Sequence, residues 1–98
     1  MYARITRRRL DTSREAETAE RAAREFWPNL QRAPGFVSLT LIHGDDGIAT
    51  AVTIFEGKAE ADAFHEDAMR WQRTLDELGH QLESQSDGEV GRHITPNS

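Results

Sequence analysis

The feature that most constrains the fold is a pair of eight-residue segments, 36–43 and 48–55, that are rich in β-branched, aromatic and other apolar residues. Only Gly44-Asp45-Asp46-Gly47 separates them, and glycine and aspartate are residues that tight turns favour. Two strand-like runs joined by such a turn predict a β-hairpin. The chain therefore contains an antiparallel sheet, against which its other segments must pack.

The segment before the hairpin predicts one strand followed by one amphipathic helix. The strand covers about Tyr2 to Arg9. Beyond it, apolar residues recur every three or four positions, as on one helical face, at Ala16, Ala19, Ala23, Phe26 and Leu30. Pro28 lies inside this pattern and has no backbone N–H, so the helix should kink or loosen near Trp27 before Pro34-Gly35 ends it.

The segment after the hairpin predicts a second helix and a final strand. After Gly57, apolar residues again recur at helical spacing, at Ala61, Phe64, Ala68, Trp71, Leu75 and Leu78. Gly79 is expected near the end of this helix, and Ser84 to Gly88 is expected to form a loop. A last strand is expected from Glu89 to Thr95, and Pro96-Asn97-Ser98 is expected to fray.

The order of elements is therefore strand, helix, strand, strand, helix, strand. A chain of 98 residues fits one domain, residues 1–98. The fold class is α+β, with a four-stranded antiparallel sheet and two helices on one face. A chain this short buries a modest fraction of its surface, so association with a partner would stabilise it.

The hairpin also predicts that two copies of the chain associate. A four-residue turn would place His43 opposite Ile48, so that the helices cover the face with Val37, Leu39, Leu41, Ile48, Val52 and Ile54. The other face then has no charged residue, as it carries Phe36, Ser38, Thr40, Ile42, Ala49, Ala51, Thr53 and Phe55. A sheet face in water normally carries polar and charged residues. The sequence therefore predicts a homodimer that buries Phe36, Ile42 and Phe55 or their immediate neighbours.

Composition excludes several classes of function. The chain has no cysteine, so it has no disulfide, thiolate nucleophile or cysteine metal site, and the cytoplasm is the expected compartment. A net charge of −5, with Arg7-Arg8-Arg9 as the only basic run, argues against nucleic-acid binding. No window approaches the ~20 apolar residues of a membrane span. We expect a soluble domain that binds neither nucleic acid nor membrane.

Two segments carry a resemblance to a known family: Pro34-Gly35-Phe36-Val37, and the run from Val52 to Ala61 that contains Phe55-Glu56. They resemble the antibiotic-biosynthesis-monooxygenase family, whose pattern has a Pro-Gly-Phe opening and a strand ending in aromatic-Glu before a helix. The order of elements matches from Met1 to about Thr95, with Phe55 where the family very often has Trp. The resemblance implies a ferredoxin-like monomer whose sheet joins that of a second subunit in a dimeric α/β barrel, with the helices outside.

The resemblance implies a class of chemistry rather than one reaction, because the family includes quinone-forming oxygenases, haem-degrading enzymes and proteins of no established activity. Its cofactor-free oxygenases act on an electron-rich aromatic whose deprotonated form passes an electron to oxygen. The favoured function is a cofactor-independent monooxygenase of a small phenolic or quinol-type aromatic ligand, with no metal or other cofactor. The alternative is a non-catalytic dimeric barrel that binds a small ligand or is purely structural.

Four residues are candidates for the catalytic site. His65 is the candidate base, because imidazole titrates near neutral pH and the second helix should border a cavity. Trp71 could stack on a flat ligand, with its indole N–H available to a quinone oxygen. Tyr2 and Arg4 share one face of the first strand and could reach an oxyanion. The competing interpretations are core packing for Trp71 and solvated positions for His65 and Arg4.

Haem degradation, metal binding and RNA recognition are disfavoured. The haem-degrading branch pairs an Asn on strand one with a Trp and a His on helix two, whereas this chain has no Asn on that strand and has Phe64 and Thr74 at the matching helix positions. Trp71 and His80 are nine residues apart, which places them on opposite sides of a helix, so they are not expected to share one pocket wall. The histidines have no HxxxH or HxH spacing. The segment 47–54 lacks the aromatic and basic residues of an RNA-recognition strand.

Overall fold

The computed structural model describes residues 1–96. The strands are β1 (Tyr2–Arg9), β2 (Phe36–His43), β3 (Ile48–Phe55) and β4 (Gln81–Glu89). The helical segments are a 3-10 turn (Thr12–Arg14), α1 (Glu15–Arg21), a π-helical turn (Ala22–Phe26), α2 (Trp27–Arg32), α3 (Lys58–Ala63) and α4 (His65–Glu77). The predicted βαββαβ order is confirmed.

The sheet is antiparallel, with the strand order β2-β3-β1-β4. The first strand lies at the centre and pairs with both β3 and β4, so that Ile5 lies between Val52 and Ser86. The helices pack on the face that carries Arg4, Thr6 and Arg8. The predicted fold class, a ferredoxin-like α+β domain with a four-stranded antiparallel sheet, is confirmed.

The first helical region is interrupted where the sequence predicts it. Pro28 cannot donate the backbone hydrogen bond that a regular α-helix would direct to the Arg24 carbonyl, and a π-helical turn occupies residues 22–26 immediately before it. Beyond the turn, Pro28 is tolerated because it lies in the first turn of α2. The turn brings the consecutive residues Phe26 and Trp27 to the same space beneath the helices.

The predicted hairpin register is wrong by one residue. His43 pairs with Ala49 rather than Ile48, because Gly44 donates to the carbonyl of Ile48 and closes a three-residue loop with Gly47 at φ +83°. A one-residue shift turns every side chain of β3 to the other face. The helix-facing residues of β3 are therefore Ala49, Ala51, Thr53 and Phe55, whereas Ile48, Val52 and Ile54 lie on the outer face.

The last strand lies earlier than predicted. It covers Gln81–Glu89, including the segment expected to form a loop, and residues 90–96 are outside the sheet. It is an edge strand with mostly exposed side chains, held by backbone pairing to β1, so it needs no alternation of apolar residues. Gly79, at φ +87°, ends the preceding helix and directs the chain into it. Asn97 and Ser98, two of the three residues expected to fray, lie outside the described residues.

The buried core occupies one end of the space between helices and sheet. Leu30, Phe55, Ala61 and Phe64 form one apolar cluster. Phe55 is 1% exposed and lies among the rings of Phe36 and Phe64, at centroid distances of 6.2 and 5.9 Å. The expectation that Phe36 and Phe55 lie on a dimer face is therefore wrong, since both pack against this core on the helix side.

Candidate functional site

A cavity of about 310 Å³ lies between the helices and the sheet beyond this core. Its floor includes Ala49, Ala51 and Thr53 of β3, and its roof includes Ala19, Ala22 and Ala68 of the helical layer. Small side chains facing each other across two layers do not fill the space that larger ones would occupy. The cavity therefore follows directly from the register of β3.

An aromatic wall borders the cavity on the helix side. Phe26 and Trp71 are stacked with their ring planes 5° apart and centroids separated by 5.2 Å, and Trp27 also lines the space. Trp71 lines the cavity and is also buried in packing with Phe26, so its contact with a ligand stays a prediction. Such a wall offers flat, rigid surfaces to an aromatic ligand. Phe26 and Trp27 are not among the site residues predicted from the sequence. The sequence feature that points to them is Pro28, which predicts the helix irregularity beside them.

Arg8 lines the cavity but has no donor left for a ligand. Its Nε and Nη2 atoms donate to the side-chain oxygen of Gln72 at 3.0 and 2.7 Å, and Nη2 also donates to the Gln72 carbonyl at 3.4 Å. Its Nη1 atom donates to Asp76 Oδ1 at 2.7 Å and to the His80 carbonyl at 2.8 Å. These five bonds use all five N–H groups of the guanidinium. Arg8 therefore holds β1 to α4 and to the start of β4.

His80 is buried and both of its ring nitrogens are occupied. Nδ1 accepts the backbone N–H of Asp11 at 3.0 Å, so the neutral ring carries its proton on Nε2, which lies 2.7 Å from Thr18 Oγ1. Thr18 in turn donates to the Arg14 carbonyl at 2.7 Å. Burial, the largest cause, lowers the pKa of His80, with positive Arg8 and Arg14 adding to it while Asp11 opposes. This histidine is structural.

The expectation that Trp71 and His80 cannot share a pocket wall is wrong. The helix ends at Glu77, and Gly79 turns the chain so that His80 returns toward the cavity, which both residues line. The angle of 100° per residue applies only within a continuous helix.

His43 is the histidine at the exposed edge of the cavity. Its side chain is 58% exposed, and Nδ1 lies 3.7 Å from Oε1 of Glu15, which also lines the cavity. Sequence reasoning treated His43 only as a possible metal ligand. The signal that was available is its position at the end of a strand that faces the helices.

The structure brings Trp71 and Arg4 together in the cavity lining and leaves His65 and Tyr2 outside it. His65 begins α4 and is exposed, so the expectation that it borders the cavity is wrong. His65 faces solvent because the apolar stripe passes through its neighbour Phe64, which is buried. Tyr2 is half-buried against the apolar core.

Two further observations concern the described part of the chain. Within residues 1–96, no group of three or more histidine, aspartate or glutamate side chains is placed to hold a metal ion. No helix in this range has the length and apolar character needed to cross a membrane.

Comparison with known proteins gives similarity at the level of the fold. No protein-family model and no curated protein matches the sequence. A Deinococcus radiodurans structure named as an antibiotic biosynthesis monooxygenase has a TM-score of 0.76 and 10% identity over 97% of each chain. A Streptomyces coelicolor monooxygenase in complex with nanaomycin D has a TM-score of 0.65 and 14% identity over 96% of this chain and 91% of its own. The Mycobacterium tuberculosis haem-degrader MhuD, with two haems in its active site, has a TM-score of 0.63 and 17% identity over 97% of this chain and 100% of its own. The chain has the fold of the antibiotic-biosynthesis-monooxygenase structures.

Proposed function

We propose that the domain binds a flat phenolic or quinol-type aromatic in the cavity and oxidises it with molecular oxygen, without metal or flavin. The observation that carries the proposal is the cavity between the stacked Phe26–Trp71 pair and the small residues of β3. Its volume and its aromatic wall suit a small aromatic ring system, and apolar walls with a few polar groups are typical of small-molecule sites. The nanaomycin D complex of a protein with the same fold supports this choice of ligand class.

The proposed reaction needs few protein groups. In an anthrone-type substrate, one CH₂ group loses both hydrogens, one atom of O₂ becomes the carbonyl oxygen of the product, and the other leaves as water. The substrate supplies all the electrons once its phenol is deprotonated, so the protein has to bind the ring, exclude bulk water and accept a proton. Trp71 and Phe26 would hold the ring.

His43 is the proton acceptor in this proposal, in place of His65. Nδ1 of His43 is near the Glu15 carboxylate, which would orient the ring and leave Nε2 for the substrate. His80 lines the cavity too, but its two nitrogens are engaged by Asp11 and Thr18.

Oxygen uptake with a panel of dihydroxynaphthalenes and anthrones tests the proposal. A general base contributes ~10²- to 10⁴-fold, so we expect His43→Gln to lower turnover at least tenfold. His65→Gln is the matched control, since it removes an exposed histidine outside the cavity, and it should leave turnover unchanged. Uptake abolished by a chelator would refute the cofactor-free reaction, whereas ligand binding without uptake would favour the non-catalytic ligand-binding alternative.

We also propose that the domain is a homodimer that buries the hairpin part of the outer face of its sheet. The hairpin part of this face carries Ser38, Thr40, Ile42, Ile48, Thr50, Val52 and Ile54, none of which is charged. Ile42 is 51% exposed in the single chain. A second copy of the same face is the economical cover. In the proposed interface Ile42 keeps the place that the sequence predicts, and Ile48, Val52 and Ile54 of β3 replace Phe36 and Phe55.

Light scattering tests the dimer. We expect twice the chain mass at micromolar concentration, and the chain mass for Ile42→Asp, because an unpaired carboxylate would be buried at the interface. Met69→Asp is the control, since Met69 is 36% exposed on α4, away from this face. A monomeric wild-type protein would contradict the proposal.

A further inference from the structure

We infer that the ligand of this cavity is an aromatic anion, and that Arg4 binds its carboxylate or phenolate oxygen. The inference rests on the proposed function in one respect, that the cavity accepts a flat aromatic molecule. It adds the charge of that molecule and the residue that selects it.

Arg4 is a largely buried cation with unused donors. Its side chain is 12% exposed and lines the cavity, and its Nε atom donates to Asp87 Oδ1 of the neighbouring edge strand at 3.3 Å. Within residues 1–96, neither Nη1 nor Nη2 of Arg4 makes a hydrogen bond to a protein atom. Four N–H groups of the guanidinium therefore have no acceptor in the described part of the protein.

Arg8 lines the same cavity and differs from Arg4 in that its hydrogen bonds give it a structural role. All five of its N–H groups are engaged, and Asp76 balances its charge at 2.7 Å. Both arginines point from alternate positions of β1 toward the helices, so they differ in their partners rather than in their placement. Arg4 is thus the arginine of the lining that can bind a ligand anion.

Asp87 is a weak competitor for this role. It meets only the Nε side of Arg4, through one long hydrogen bond, and its side chain is 33% exposed. A planar carboxylate in the cavity can instead accept two parallel N–H groups, which is the stronger arrangement. The nearby Asp62 forms its ion pair with Lys58, at 2.9 Å, rather than with Arg4.

Isothermal titration with a matched pair of probes tests the inference. 2-Naphthoate carries the anion, and 2-naphthalenemethanol has the same ring system without the charge. We expect the wild-type protein to bind the naphthoate about tenfold or more tightly than the alcohol, because charge-assisted bidentate hydrogen bonds are roughly twice as strong as neutral ones. Arg4→Gln should remove this preference while leaving the affinity for the alcohol within about twofold.

Two further variants complete the test. Arg73→Gln removes the same charge from an exposed position of α4 and should keep the preference. Asp87→Asn should tighten naphthoate binding several-fold by removing the competing carboxylate. This variant tests the role of Arg4 even if Arg4→Gln does not fold. Equal affinities in the wild-type protein, a preference that survives in Arg4→Gln, or no tightening in Asp87→Asn would overturn the inference. Equal affinities for the two probes would remain consistent with an aromatic ligand in the cavity. Binding of neither probe would overturn both the proposed aromatic ligand and the proposed role of Arg4.

Discussion

Filling the cavity should make the protein more stable and remove its ligand site. Ala51 lies in the middle of β3, faces the helices and lines the floor of the cavity. In a packed core, an Ala→Leu substitution forces neighbouring side chains apart and costs about 1–3 kcal/mol. At Ala51 the added carbons enter open space, so the sign of the effect should be reversed.

The size of the effect follows from the three added carbons. At ~0.8 kcal/mol per buried CH₂, the transfer of these carbons from water stabilises the folded state by about 2 kcal/mol. The loss of rotamer freedom of the leucine side chain costs up to about 1 kcal/mol. We expect Ala51→Leu to raise the free energy of unfolding by about 1 kcal/mol. For a domain of this size that corresponds to a Tm increase of roughly 4–8 °C.

Thermal melting followed by circular dichroism, together with titration of 2-naphthoate, measures both consequences. Ala16→Leu is the control, because Ala16 is exposed on α1 and outside the cavity, so its effect on stability should stay within about 0.5 kcal/mol and ligand binding should be unchanged. A lower Tm for Ala51→Leu would show that the space is already filled. Undiminished naphthoate affinity would show that the ligand binds elsewhere.

Three other outcomes are expected. Burial lowers the folded-state pKa of His80, so the unfolded chain takes up the proton first as the pH falls. The free energy of unfolding should therefore decrease as the pH falls below ~6.5. Urea unfolding at pH 7.5 and 5.5 should show a larger decrease for the wild type than for His80→Gln. Haemin titration should give no Soret shift that depends on one histidine, because β1 has no Asn and His80 has no free nitrogen; such a shift, lost in His43→Ala, would contradict this. Gly79→Ala should cost about 1–2 kcal/mol in urea unfolding, since Gly79 is at φ +87° and its Cβ would lie 3.3 Å from Asp11; an unchanged midpoint would exclude strain there.

The parts of the fold that the sequence predicts are those with strong local patterns. Strands β1, β2 and β3 begin and end at the predicted residues, and the irregularity before Pro28 lies where proline chemistry places it. The edge strand β4 was missed because its stability comes from backbone pairing with β1 rather than from its own side chains. A strand of exposed polar residues has no periodicity by which it could be recognised.

The site was harder to predict because its residues come together only in three dimensions. Of the four candidates named from the sequence, Trp71 and Arg4 line the cavity, whereas His65 and Tyr2 do not. The structural role of Arg8 depends on Gln72, Asp76 and His80, which are more than 60 residues away along the chain. Nothing in the sequence separates Arg8, with its saturated donors, from Arg4, with its free ones.

The register of β3 links the cavity to the proposed dimer. The sequence-based prediction turned Ile48, Val52 and Ile54 toward the helices, because a four-residue turn pairs His43 with Ile48. The three-residue loop closed by Gly47 gives the opposite result, with alanines and threonine under the helices and the large aliphatic residues outside. For a lone monomer this is the poorer arrangement, since it leaves space inside and apolar surface outside. It becomes favourable when a second copy covers the outer face, because one register then provides both the interface that stabilises the protein and the empty space in which a ligand can bind.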